Sequence, residues 1–271
     1  MKTRKRPLEA YFLFLVFILI VVLGSASFFK KWMPPLASNR ISIDQMMTAL
    51  FIVTGVFFVG VQGLTGYFIW KYSNQNVEKA AYVSGSHALE ITWTLGTAVI
   101  LAVFGVWSVR VWRKTVIQPP PSHALQVEVV AQQFSWNFLY PNQDGVFGKL
   151  NPQYISFLNP LGLDPKDPAS RGDIWTKDNL YLPVGKPVVL KIRSLDVVHS
   201  FFVPDFRVKQ DAVPGMAIST WFIPEKKGKY EIACSQFCGR GHYTMRGTCY
   251  VVSQKRFRKE LKHLRKEDEG E

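Results

Sequence analysis

Between Gln45 and Trp70 the chain carries no charged residue, and a run of that length limits the fold more than any other feature. It exceeds the ~20 apolar residues with which an α-helix crosses a hydrocarbon core. Two further stretches approach the same length: Tyr11 to Phe29, behind the basic Lys2, Arg4, Lys5 and Arg6, and Ile91 to Val109. Tyr67, Trp70, Trp93, Trp107 and Trp112 lie near the ends of the last two, where aromatic belts form at membrane interfaces. The expectation is a membrane anchor over residues 1–114 with helices at about 10–29, 45–70 and 88–112. The first stretch, with Gly24-Ser25-Ala26 near its end, is either a cleavable signal peptide or a retained helix; a retained helix is the expectation. A basic N-terminus inside then leaves everything after Trp112 outside, although Lys30, Lys31 and Arg40 depart from the positive-inside pattern.

Composition changes after Lys114. Residues 115–122 read as a linker, stiff and extended where Gln118-Pro119-Pro120-Pro121-Ser122 stand together. Beyond it, Leu125–Val130, Pro187–Ile192 and Ala217–Ile223 are β-rich runs, punctuated by turns at Gly185-Lys186, Pro214-Gly215 and Lys227-Gly228. Asp144 to Asp173 reads as a surface excursion. Residues 123–253 are therefore expected to form an all-β sandwich, and 254–271 a solvated tail or helix with one basic face. The net charge of +13 points to anionic partners such as lipid headgroups. Nucleic acid is excluded, because no recognition motif accompanies the charge.

Three cysteines, Cys234, Cys238 and Cys249, cannot form a closed disulfide framework, and no C-x-x-C-H haem attachment is present. Cys234, Cys238, His242 and Met245 fall within twelve positions, and His199 lies upstream in Asp196-Val197-Val198-His199-Ser200-Phe201. Thiolate, imidazole and thioether together suit copper. His199, Cys238, His242 and Met245 would complete a mononuclear site, leaving Cys234 in surplus. Two thiolates on one loop can instead bridge two copper ions, each completed by one histidine and one weak ligand. Cys249, in an apolar run, reads as a buried strand residue.

Cys234 to Met245 resembles the C-x-E-x-C-x3-H-x2-M loop of cytochrome c oxidase subunit II, and Asp196 to Phe201 is similar to that family's D-V-x-H-S segment. The resemblance implies N-terminal transmembrane helices (two or three) followed by a cupredoxin-like sandwich or barrel holding two copper ions. Carried over, Cys234 and Cys238 would bridge the coppers, His199 and Met245 would complete one, and His242 with the carbonyl of Gln236 the other. Gln236 stands where the family has Glu; a neutral amide is a poorer ligand for a hard dication, so magnesium is not expected. Gln133 to Tyr140 is similar to the family's electron-entry region, which makes Trp136 and Phe134 candidates on one strand face. Glu90, in a Glu-x-x-Trp-Thr segment, is similar to a residue at the mouth of a proton pathway.

The implied role is to accept electrons from a cytochrome c-type donor and pass them to haem in subunit I, where oxygen is reduced to water with proton translocation. The implied setting is a multi-pass protein of the bacterial inner membrane, with the copper domain outside and the other oxidase subunits as partners, in a supercomplex or not. The alternatives are a membrane-tethered copper chaperone and a mononuclear cupredoxin carrier. A thioredoxin-like chaperone would need βαβ alternation, which the sequence lacks. A quinol-oxidase subunit would have lost the copper ligands, which are present here.

Overall fold

The structure, a computed structural model, describes Phe12 and residues 14–19, 21–22, 33–72, 82, 84–142, 145–156, 159, 161–170 and 172–269. Of the helix expected over 10–29, the described residues are helical, and Gly24-Ser25-Ala26 lie outside them. Two helices among the described residues are long and apolar enough to cross a membrane: α1, Ile41–Tyr72, and α2, His87–Trp112. Each carries an acid in its first turn (Asp44, Glu90) and a base in its last (Lys71, Arg110), the arrangement the helix dipole favours. Between those ends apolar side chains point in every direction, with Val56 and Leu101 each 67% exposed. A helix apolar all round needs lipid or protein about it. The Thr54 and Thr65 hydroxyls donate to the Leu50 and Val61 carbonyls at 2.8 Å, which satisfies them without water.

The second compact unit comprises Pro35–Ile41 and Trp112–Glu271, so it begins before the expected boundary and recruits a segment upstream of α1. The expected extended linker also differs. After Trp112 the helix widens into a π turn, Arg113–Ile117, and the Gln118 carbonyl accepts a 2.7 Å bond from the Trp221 indole.

Among the described residues ten strands follow: β1 Leu125–Gln132, β2 Ser135–Tyr140, β3 Ile174–Lys177, β4 Asn179–Pro183 and β5 Val188–Ser194. The rest are β6 His199–Val203, β7 Val208–Ala212, β8 Ile218–Phe222, β9 Gly228–Cys234 and β10 Arg246–Val252. They form two five-stranded sheets, β3-β2-β1-β5-β8 and β4-β10-β9-β6-β7. Neighbours are antiparallel except β1/β5 and β4/β10, which run parallel because the chain crosses between sheets. Val127, Val129 and Ala131 of the first sheet meet Phe201, Val203, Ile232 and Val251 of the second in one core, together with the fully buried Cys249. Val130 and Leu139, on the outer face of the first sheet, are also fully buried. Leu161, Phe147, Leu150 and Leu163 cover them, so the expected surface excursion folds onto the sheet. The Asp173 carboxylate pins it by accepting from the Asn142 and Gly148 amides at 2.9 and 2.8 Å.

The sandwich has two unlike ends. At one, Leu125 N–H bonds the Pro187 carbonyl, Val184 N–H that of Val252 and Gly185 N–H that of Pro224. The segment upstream of α1 is tied here: Ser38 bridges to Pro224, and Ala37 and Glu225 take part in 2.8 Å backbone bonds to Asp205 and Ala37 respectively. Helix α3, Gln254–Glu269, follows β10 at the same end. It is a helix with one basic face, as expected, but it is not wholly solvated, since Phe257 is 4% exposed and joins the core, with its ring 6.2 Å from that of Tyr140. At the other end lie Gln132, His199, Cys234 and Arg246, the residues that end or begin their strands.

Arg40 holds the upstream segment in place. It is 7% exposed, and its guanidinium donates to the Trp221 carbonyl at 2.8 Å, Thr220 Oγ1 at 3.1 Å, the Arg207 carbonyl at 3.3 Å and the Thr115 carbonyl at 3.4 Å. Burial lowers its pKa to about 10, so it remains charged at neutral pH. Truncation would strand these acceptors in a site that water reaches poorly. Arg40→Ala is expected to destabilise the β unit by on the order of 2–3 kcal/mol, with Arg40→Lys falling between. Chemical denaturation of the detergent-solubilised chain, followed by circular dichroism, measures this; an unchanged midpoint would show that the guanidinium contributes nothing.

Candidate metal centre

Strand pairing brings the sulfur and imidazole groups together. Phe201 of β6 pairs with Cys234 of β9, which sets His199, at the head of β6, beside the start of the loop that leaves β9. The loop closes where it began, since Cys234 N–H donates to the Met245 carbonyl at 3.2 Å just before β10. Within it, His242 N–H bonds the Gly239 carbonyl at 3.1 Å and Met245 N–H that of His242 at 3.2 Å. Gly239 adopts φ +131°, a conformation open to glycine and poorly open to other residues. A Cβ on Gly241 would stand 2.5 Å from the Phe134 ring, so glycine lets that ring lie on the loop.

The resulting cluster is compact. The Cys234 and Cys238 sulfurs are 3.9 Å apart, well beyond the ~2.05 Å of a disulfide. His199 Nδ1 is 4.0 Å from the Cys234 sulfur, and His242 Nδ1 is 3.6 Å from that of Cys238. The Met245 sulfur is 3.8 Å from Cys238, and the Gln236 carbonyl oxygen 3.2 Å from Cys234. Bonds of about 2.0–2.3 Å from a metal to nitrogen or sulfur separate neighbouring ligand atoms by between 3 and 4 Å. The described residues thus fit a metal without rearrangement. The candidate group His199, Cys234 and Cys238 has its ligand atoms all within 4.8 Å of one another. His199 and Met245 are fully buried and Cys238 is 4% exposed.

The electrostatics are lopsided. Burial raises the Cys234 thiol, but hydrogen bonds from His199, from the Ser200 and Gln236 backbone and from His242 outweigh it and bring the thiol down to about 6. Cys238 is pushed up to about 12, by burial first and then by the neighbouring Cys234 charge. One thiolate forms readily and opposes the second. A cation between them removes that opposition, since a coordinated thiol is deprotonated outright.

The sequence motif assigns Asp196 no role, and the structure supplies one. Its carboxylate meets His199 Nε2 at 2.8 Å and accepts from the Val197 and Gln133 amides at 2.7 and 2.6 Å. This fixes the ring so that Nδ1 faces the sulfurs, as partners behind a metal-bound histidine commonly do. Gln133 also ties the other side, donating from its side chain to the Cys238 carbonyl at 2.7 Å. The only sequence signal for Asp196 was a carboxylate three positions before a histidine, and Gln133 gave none.

The aromatic candidates separate. Phe134 and Trp136 were expected on one strand face, but β1 and β2 pair down to Gln132 and Ser135, which leaves Phe134 in the turn. Phe134 is 37% exposed and lies over Gly241, whereas Trp136 is fully buried, edge-on to His199 with ring centres 6.2 Å apart. Phe237 and Tyr243, which the sequence did not single out, are 77% and 78% exposed on the loop. Phe237 lies 5.7 Å from the His242 ring. Glu90 lies in the first turn of α2, its carboxylate 3.4 Å from His87 Nδ1.

Residues 125–252 match the family described as cytochrome c oxidase subunit II, periplasmic domain, and residues 26–111 match its transmembrane domain. The alternative cytochrome c oxidase subunit 2 of Bradyrhizobium diazoefficiens is 34% identical over 241 residues, covering 88% of this chain and 86% of that one. The chain belongs to the cytochrome c oxidase subunit II family. Cytochrome c oxidase subunit 2 of Cereibacter sphaeroides is 29% identical, over 88% of this chain and 80% of its own. A crystal structure of the periplasmic domain of subunit II from Bradyrhizobium japonicum is 28% identical, covers 55% of this chain and 99% of its own, and gives a TM-score of 0.41. The expected fold, apolar helices followed by a cupredoxin-like sandwich, is the one observed, in a membrane protein whose β domain lies outside. Copper is the metal that family membership implies.

Asp196 and His199 set a pH window for the copper-free chain. Burial opposes both charges, but their mutual bond and the surrounding amides hold Asp196 below its ordinary 3.8, while Cys234 and Asp196 raise His199 above 6.5. A depressed carboxylate contributes stability that is lost as pH falls through its folded pKa; a raised imidazole contributes stability that is lost as pH rises through its own. The contribution is therefore greatest between about 4 and 6.5. Thermal unfolding of wild type and Asp196→Asn should differ most near pH 5–6 and converge at both extremes. A gap independent of pH would remove the ion pair from the account.

Proposed function

We propose that Cys234, Cys238, His199, His242, Met245 and the Gln236 carbonyl hold two copper ions as the electron-accepting centre of a haem–copper terminal oxidase. The observation that carries this is the pair of sulfurs 3.9 Å apart, each with its own imidazole nitrogen within 4.0 Å. A binuclear copper pair would supply one-electron acceptance with the charge spread over both ions. The protein's part is to keep the ligands still. Asp196 orients His199, Gln133 holds the Cys238 end, and the backbone bond from Cys234 to Met245 closes the loop. Gln236 is exposed, and the neutrality of its side chain supports leaving magnesium out.

The donor in this reading is a cytochrome c-type protein, the acceptor is haem in subunit I, and oxygen reduction with proton translocation takes place there. Other oxidase subunits complete the assembly, in a supercomplex or alone, as a multi-pass protein of the bacterial inner membrane. Glu90 is the proposed proton-pathway entry. It opens α2, twenty-two positions before Trp112 and the β unit that follows, and so lies about 33 Å along the helix from that end. Electron entry falls to Phe134, with Phe237 and Tyr243 as a neighbouring apolar rim. Trp136 stands behind His199, where a docked donor would not touch it, and its proposed part is to pack the ligand ring.

Metal analysis of the purified chain after copper loading is expected to give close to two coppers, and Cys234→Ser or Cys238→Ser to abolish the shared spectrum. Met245→Leu should retain copper with a changed potential, since a weak axial ligand tunes more than it holds. A value near one with a blue chromophore would identify a mononuclear site instead. Gln236→Ala should be mild, and complete copper loss there would mean that the side chain binds.

Stopped-flow reduction of the assembled oxidase tests electron entry. Phe134→Ala should slow copper reduction several-fold without altering the copper spectrum, and the rate should depend only modestly on salt, since the rim is mostly aromatic with Arg240 as the loop's exposed charge. An intact rate in Phe134→Ala, or a steep salt dependence, would displace the entry point.

A further inference from the structure

Beside the ligand His199, Ser200 is fully buried, polar, and no part of the ligand set. A buried hydroxyl needs a partner, and this one donates to Asp211 Oδ1 at 2.7 Å. Asp211 lies directly across the β6–β7 ladder, on the edge strand of the second sheet, and is exposed. A carboxylate acceptor makes such a bond short and strong. A group at the surface is thereby tied to a residue inside the pocket.

The backbone of Ser200 gives that tie a use. β6 pairs with β9 at Phe202 with Ala233 and at Phe201 with Cys234, and there the ladder stops. Past that point the Ser200 carbonyl accepts from the Ser235 N–H at 2.9 Å, and the Ser200 N–H donates to the Cys234 sulfur. One residue, anchored through its side chain by Asp211, thus grips the loop at both Cys234 and Ser235. Asp196 orients His199 and Gln133 ties the Cys238 end; Ser200 does the same for Cys234. An N–H aimed at a thiolate draws charge from the sulfur, so it favours the reduced state of a metal bound there and raises its reduction potential.

We propose that Asp211 and Ser200 are positioning residues that fix the Ser200 N–H on the Cys234 sulfur and so raise the reduction potential of the copper centre. This rests on the two-copper reading of the site. The test uses the full chain in detergent, loaded with copper. Asp211→Asn and Asp211→Leu remove the same charge at similar volume, and only Asp211→Asn leaves an acceptor for the hydroxyl. Compared with Asp211→Asn, Asp211→Leu should show a lower potential, a shifted sulfur-to-copper absorption band and about tenfold faster loss of copper to a chelator. Ser200→Ala should shift all three in the same direction, and Ser200→Thr, which keeps the hydroxyl, should stay near the wild type. In the copper-free chain, exchange of the Ser200 amide should be about tenfold faster in Ser200→Ala, while exchange in the rest of the β unit reports that the variant is folded. Equal potentials and bands in Asp211→Asn and Asp211→Leu, or a Ser200→Ala that matches the wild type, would overturn the proposal and leave the pair a role in stability alone. A wild-type chain that takes up no copper would overturn the copper reading and the tuning role together, whereas unchanged exchange of the Ser200 amide would overturn the positioning by itself.

Discussion

Two cysteine sulfurs held 3.9 Å apart in a pocket that water barely enters set the terms for the rest of the β unit. Left to themselves the two thiols resist ionising together: one is drawn down to about 6 and the other driven up to about 12. Neutral thiols could sit in the same pocket, but no arrangement of apolar residues would then require two imidazoles aimed at them. The geometry suits positive charge, with donors of the soft and borderline kind that copper favours. Membership of the cytochrome c oxidase subunit II family makes that positive charge copper.

Support for the pocket comes from three directions, and each restrains a different ligand. β9 and β10 hold the two ends of the loop, β6 brings His199 from the neighbouring strand, and the β1–β2 turn reaches across from the other sheet with Gln133. Asp196 closes the ring by linking His199 to Gln133. A ligand set fixed from two sheets moves little when its charge changes, which is what fast one-electron transfer asks of a protein. Core packing continues this support inward, since Trp136 lies edge-on to both His199 and Phe201.

What could be read from the sequence was local. The twelve residues from Cys234 to Met245 contain five of the six candidate ligands, and their spacing needs no tertiary knowledge. The apolar runs likewise declare themselves by length. What failed to show depended on distant partners or on a missing local signal. Gln133-Phe134 forms a turn without glycine, proline, asparagine or aspartate, so the strand seemed to run through it and Phe134 was placed on the wrong surface. Phe257, Leu261 and Leu264 had helical spacing throughout, yet the surrounding lysines and arginines suggested a solvated tail. Nothing near Arg40 announces that its acceptors lie at Thr115, Arg207, Thr220 and Trp221, far along the chain. The 145–170 excursion looked polar because its few leucines are scattered, and they become an apolar cover only against Val130 and Leu139.

The division of labour between the two ends of the sandwich follows from strand direction. β1 starts where the chain arrives from α2 and ends in the turn that touches the Cys238 carbonyl, so one strand of eight residues, about 26 Å long, separates the attachment from the cluster. β10 returns over a similar span and delivers the chain to α3. Charge and polarity sort along that axis: a buried arginine, backbone ties and the basic face of α3 at the attachment end, and exposed aromatics over buried sulfur at the other. An electron arriving from water then meets exposed aromatics, beside the exposed Arg240 of the loop and the Arg246–Glu231 pair at 2.8 Å. Arg40 and the lysines of α3 stand a strand length away, beyond about two screening lengths at physiological ionic strength, and so have little influence on that encounter.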